Sequence, residues 1–142
     1  MTKKEVNIKD YTYKLLKKKN YFINEIYNKL ISKYSREETS KTIKEFVQLE
    51  LLNDRYLVEM KICYFIHIKN YGKNYIHNYF DRKNVSPNLV RHVLSKYHED
   101  VFLNNIKELK NNLFLKTKSD SYIYNYLLRK GYQEEEIKKI CN

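Results

Sequence analysis

Basic residues recur through this chain at matched places, and they are the side chains with the clearest chemistry. Lys33, Arg82 with Lys83, and Arg129 with Lys130 each close an apolar stretch, and Lys17-Lys18-Lys19 form a local cluster. Lys69 and Lys73 flank Tyr71-Gly72. Ammonium and guanidinium groups grouped in this way bind anions such as phosphates and carboxylates. At helix ends they also complement the helix dipole, and that structural role stays open for each residue taken singly.

Catalytic chemistry finds little footing. His67, His77, His92 and His98 form no pair at metal-ligand spacing with a third ligand, and no Ser or Cys lies in a nucleophile motif. With 2 Gly in the whole chain, no glycine-rich phosphate loop can be assembled, which excludes P-loop and Rossmann enzymes. The sequence is read as non-enzymatic, with no metal and no cofactor. Cys63 and Cys141 show no CxxC spacing and are read as two unpaired thiols in a reducing compartment. The N-terminal stretch Met1–Val6 is charged and leads into no apolar segment of signal-peptide length. Apolar runs such as Ile62–Ile68 fall far below the ~20 residues a membrane span needs. The expected location is the cytoplasm, with no membrane partner.

The elements that must position these charges read as helices. Across 142 residues, Lys plus Arg number 28 against 17 Asp plus Glu, for a net charge of +11. Hydrophobic residues reach 42%, enough for a core, while 2 Gly and 1 Pro are too few for an all-β fold rich in tight turns. Ser35 with Glu38 predicts a capping box, and Ser86-Pro87 a helix start with proline at its first position. A further helix is expected over about Asp54–Asn70, capped by Asn53 or Asp54 and released into a turn by Gly72. In it Tyr56, Leu57, Met60, Cys63, Tyr64 and His67 recur at three- and four-residue steps, so Tyr56 and Tyr64 are expected in the core. Tyr75 and Tyr79 are candidates for stacking on bases.

Self-comparison resolves three copies of one pattern. Ile26, Ile76 and Ile123 fall at nearly equal intervals, and Leu30, Phe80 and Leu127 follow one helical turn later. A basic residue comes next (Lys33, Lys83, Lys130), then a turn, then a short helix with inward positions at Thr39, Val90 and Ile137 and at Thr42, Val93 and Ile140. Asn84 and Gly131 stand where a helix end favours a left-handed residue; the first copy has none and must turn differently. Longer helical segments, Asp10–Lys19, Asp54–Asn70 and about Asp100–Lys116, precede each pair. The expected fold is all-α, an elongated array of three tandem three-helix repeats at 8–52, 53–97 and 98–142.

Leu51-Leu52-Asn53-Asp54-Arg55-Tyr56, then Lys69-Asn70-Tyr71-Gly72-Lys73-Asn74-Tyr75-Ile76, then Arg82-Lys83-Asn84-Val85 resembles the RecX family of recombination regulators. The likeness extends over about 10–142. It departs at Phe22, where a capping Ser is usual, at Asn84, where glycine is usual, and in a first repeat one residue short. The resemblance implies a non-catalytic modulator, mainly an inhibitor, of RecA that lies along the RecA–DNA filament, acting in homologous recombination, DNA repair and the SOS response. It implies RecA as partner, direct DNA contact as a further option, and a monomer. Candidate binding residues are Lys69, Lys73, Arg82, Lys83, Arg129 and Lys130, with Asp54, Tyr56, Tyr71, Gly72 and Gly131 as structural motif residues. The rival reading is a DNA-binding protein using its repeat helices like a helix-turn-helix, independent of RecA. A helical scaffold for another protein is a third.

Overall fold

The computed structural model describes residues 7–141; the charged stretch Met1–Val6 and Asn142, the last residue of the third expected repeat, lie outside the described residues. Among the described residues the chain is all-helical, with ten helices and no strand. It divides into two compact units, Met1–Leu57 and Val58–Asn142.

The first unit holds α1 (Ile8–Lys18), α2 (Ile23–Ile31), α3 (Arg36–Gln48) and the start of α4 (Asp54–His67). Its core is Leu15, Ile26, Leu30, Phe46 and Leu52, ringed by Ile8, Tyr11, Leu16, Tyr21, Ile23, Tyr34 and Ile43. The anchors Ile26 and Leu30, four apart, are fully buried on one face of α2. Ser35 caps α3, its Oγ accepting from the Glu38 N–H at 3.1 Å, but the Glu38 carboxylate makes no return bond to the Ser35 amide, so the expected capping box is half formed. The α2–α3 turn contains no left-handed residue; the Tyr34 N–H closes it on the Leu30 carbonyl at 2.8 Å. Thr39 and Thr42 occupy the inward positions of α3, and the buried Thr39 hydroxyl has no hydrogen-bond partner.

Phe22 at the start of α2 has a physical explanation. The Ile23 N–H donates to Asp54 Oδ1 at 2.8 Å, and the Phe22 N–H donates to Glu25 Oε1 at 3.0 Å. Two carboxylates thus satisfy two of the orphan amides of the helix end, one of them from a residue distant in sequence. The N-cap position is therefore released for an apolar side chain, and Phe22 is buried. Asn53, not Asp54, caps α4, its Oδ1 accepting from the Tyr56 N–H at 3.1 Å.

The second unit holds the rest of α4, then α5 (Lys73–Arg82), α6 (Pro87–Leu94), α7 (Glu99–Lys110), α8 (Leu113–Lys116), α9 (Asp120–Arg129) and α10 (Glu134–Ile140). Its core includes the anchor pairs Ile76/Phe80 and Ile123/Leu127, with Val90, Val93, Phe102, Ile106 and Ile137. Asn84 and Gly131 take left-handed φ values of 55° and 99°, as their positions require.

Three expectations are corrected here. The buried face of α4 is Val58, Ile62, Phe65 and Ile66, while Tyr56 and Tyr64 are 55% and 42% exposed. Apolar side chains surround this helix, so helical spacing fits two faces, and packing selected the β-branched and phenyl one. Met60, Cys63 and His67 face solvent with the tyrosines. The segment Asp100–Lys116 is two helices, because Asn112 Oδ1 accepts from the Phe114 N–H at 2.9 Å and caps a new start. Finally, Gly72 does not loosen the turn after α4. Asn70 carries the left-handed φ of 56°, and Gly72 has an ordinary φ of −88°. Its role lies in packing.

Candidate binding groove of the second unit

Tyr71-Gly72 and Lys130-Gly131-Tyr132 form one joint. The Gly72 N–H donates to the Lys130 carbonyl at 2.8 Å, and the Asn74 N–H to the Gly131 carbonyl at 2.9 Å. Amides at the start of α5 thus meet carbonyls just past α9, an end-to-end arrangement that aligns the two helix dipoles favourably. The backbones approach so closely that a Cβ on Gly72 would lie 2.4 Å from the Gly131 carbonyl carbon, and one on Gly131 2.4 Å from the Tyr75 nitrogen. Glycine is required at both positions.

Side chains lock the joint. The buried Tyr132 hydroxyl donates to the Asn70 carbonyl at 2.6 Å, and burial above all pushes that hydroxyl far above its ordinary pKa. Lys130 Nζ donates to the Lys69 carbonyl at 3.2 Å and lies 4.9 Å from the Tyr71 ring centre. Burial, then the nearby Lys69 charge, lowers the Lys130 pKa. Tyr71 stacks on Tyr75 with ring centres 3.7 Å apart, and the hydroxyl hydrogen bond with Tyr71 raises the Tyr75 pKa.

Beside this joint, α5 and the end of α9 wall a groove of about 300 Å³. Asn74, Asn78 and Arg82, spaced by four, line it from α5 together with Tyr75 and Tyr79, and Leu128, Arg129 and Gly131 line it from the other side. Two guanidinium groups, two amides and two phenols give a donor-rich surface suited to an anionic chain. Arg82 and Arg129 are exposed, and Lys83 ends α5 half-buried.

The expected site residues therefore divide. Arg82 and Arg129 share the groove, and Lys69 and Lys130 meet at the joint. Lys73 is half-buried, its Nζ 5.1 Å from the Phe102 ring centre. Tyr75 and Tyr79 do line the groove, yet both are half-buried, Tyr75 against Tyr71 and Tyr79 with its ring centre 4.9 Å from that of Phe65. Asp54 and Tyr56 belong to the first unit, as the α2 cap and an exposed side chain. Sequence reasoning missed Asn74, Asn78 and Leu128. The i, i+4, i+8 run ending in Arg82 was the signal for the two asparagines.

Among the described residues no three His, Cys, Asp or Glu side chains gather as a metal site, and no helix is long and apolar enough to cross a membrane.

No family model and no curated protein matches the sequence. Solved structures do match in fold. The crystal structure of RecX from Lactobacillus salivarius superposes with a TM-score of 0.85 at 20% identity, over 94% of this chain and 91% of that one. A crystal structure of regulatory protein RecX gives a TM-score of 0.77 at 15% identity, over 99% and 80%. The chain has the fold of these RecX structures.

Proposed function

We propose that this chain is a RecX-type regulatory protein, a non-catalytic factor that binds the RecA–DNA filament and restrains RecA activity. The observation that carries the reading is the shared fold along nearly the whole chain. The net charge of +11 supports it, because a basic surface is drawn to a polyanionic filament. In this reading the chain is three tandem repeats, 8–52, 53–97 and 98–142, and works as a cytoplasmic monomer.

The α5–α9 groove is the proposed contact surface. Arg82 and Arg129 make the primary anion contacts, Lys69, Lys73 and Lys83 add charge around them, and Lys130 acts mainly by holding the joint.

The test is RecA's DNA-dependent ATP hydrolysis and strand exchange with this protein at stoichiometric amounts. Both should fall, and unchanged rates would reject the regulator reading. Charge reversal at Lys69, Lys73, Arg82 and Lys83 should abolish filament binding with helix content intact; retained binding would remove these residues from the interface. Tight, sequence-selective duplex binding without any effect on RecA would favour the independent DNA-binding reading.

A further inference from the structure

The first unit contains a cavity of about 680 Å³ that shares no residue with the α5–α9 groove. Its walls are the side of α1 that carries Tyr11 and Leu15, at the edge of the core, and the turn from α2 into α3. Lys14 and Lys18, one helical turn apart on α1, enter from one side, and Lys33 enters from the end of α2. All three are exposed, and among the described residues no ion pair engages any of them. One acidic side chain, Glu38, also borders the space, so cations outnumber it three to one.

Leu15, Ser35 and two tyrosines complete the lining. Tyr11 and Tyr34 are half-buried, with ring centres 6.1 Å apart at 55°, and both pack on the core of the unit. Lys33 Nζ already lies 4.4 Å from the Tyr11 ring centre, which places an ammonium beside an aromatic surface. The rings rest on a packed core, so they are set in place before any ligand arrives.

We propose that this cavity is a binding site for a nucleotide unit, with phosphate held among Lys14, Lys18 and Lys33 and the base against the tyrosine pair. The size lies within the range of small-molecule sites. Charge and rings together set the class. Three lysine ammonium groups are point charges that hold phosphate oxygens as readily as carboxylates, so the neighbouring tyrosines distinguish a nucleotide from an acidic peptide. Adjacent aromatic rings suit a base, which stacks on tyrosine irrespective of sequence. The unit can come from a free nucleotide or from a single strand.

The test uses the full chain, a fluorescein-labelled fifteen-nucleotide oligo-dT probe and unlabelled ATP, followed by anisotropy. The combined Lys14→Ala, Lys18→Ala and Lys33→Ala variant should weaken binding at least about tenfold and reduce the salt slope by about 2, as expected for three lost contacts to a single strand. Tyr34→Leu should weaken binding about fivefold with the salt slope unchanged. Displacement of the probe by ATP identifies a free-nucleotide site, and resistance to ATP a strand site; both support a nucleotide unit. Failure to bind probe or ATP overturns the proposal, as does a triple variant with wild-type affinity. Competition by poly-glutamate as strong as by oligonucleotide also overturns it, in favour of an acidic peptide. A 5-iodouracil oligonucleotide crosslinked to the unmodified protein supplies a measurement independent of variant folding. Adducts at Tyr11 or Tyr34 support the site, and adducts confined to Tyr75, Tyr79 or other residues of the second unit reject it.

Discussion

Helices α2 and α5 begin at matching places in the sequence pattern, yet their exposed amides are satisfied in opposite ways. In the first unit a side chain does it: the Asp54 carboxylate accepts from the Ile23 N–H. In the second unit backbone does it: the carbonyls of Lys130 and Gly131 accept from Gly72 and Asn74. A side-chain cap leaves the helix start free to carry the large Phe22, whereas a backbone cap demands glycine on both strands of the contact. The first solution depends on one acceptor oxygen reaching in from another helix. The second depends on the absence of atoms.

Breaking the backbone cap should have the largest effect. Gly131→Ala adds a Cβ against Tyr75 and forces a side-chain-bearing residue to φ 99°, so a loss of more than about 3 kcal/mol is expected in urea unfolding. Gly72→Ala, with an ordinary φ, should cost about 2–3 kcal/mol from the clash alone. A neutral Gly72→Ala would show that the joint can open. Tyr132→Phe removes the hydroxyl from Asn70 and leaves a carbonyl unsatisfied, for a loss of about 1–2 kcal/mol.

On the other side of the comparison, Asp54→Ala should lower stability by about 1–2 kcal/mol, the usual worth of a lost cap. This cap also titrates. Burial is the largest influence on Asp54 and raises its pKa, with the Ile23 hydrogen bond opposing. The folded state then holds the proton to higher pH than the unfolded state. Stability should therefore fall slightly as pH rises through the window just above the ordinary carboxylate value. Asp54→Asn should flatten that slope, and a slope that survives the substitution would assign it to other carboxylates. The smallest expected effect is a gain. Thr39 stands where Val90 and Ile137 stand in the matching short helices, and its buried hydroxyl lacks a partner, so Thr39→Val should stabilise by about 1 kcal/mol in thermal melts.

The two caps also mark what a linear reading can reach. Ser35 before α3 was legible because N-cap and partner amide lie three residues apart. Asn84 and Gly131 were legible because few residues tolerate the left-handed conformation. The bond from Ile23 to Asp54 spans thirty-one positions and leaves no local trace, and the same holds for Tyr132 and Asn70, sixty-two apart. Helix α4 failed for a different reason. Its apolar side chains encircle the axis, so spacing could not choose between Tyr56 with Tyr64 and Ile62 with Phe65. Of the candidate site, Arg82 and Arg129 were legible as recurring charges, but not their convergence on one groove with Asn74 and Asn78.

The helical class, most helix starts and the anchor pairs can be read along the chain, because they follow from periodicity and capping chemistry within a few residues. The two glycines at positions 72 and 131 are equally plain there. The reason for them lies in the fold. Two backbones meet there with no room for a Cβ, and that contact, made between residues far apart in the chain, joins α5 to α9 and shapes the groove beside them.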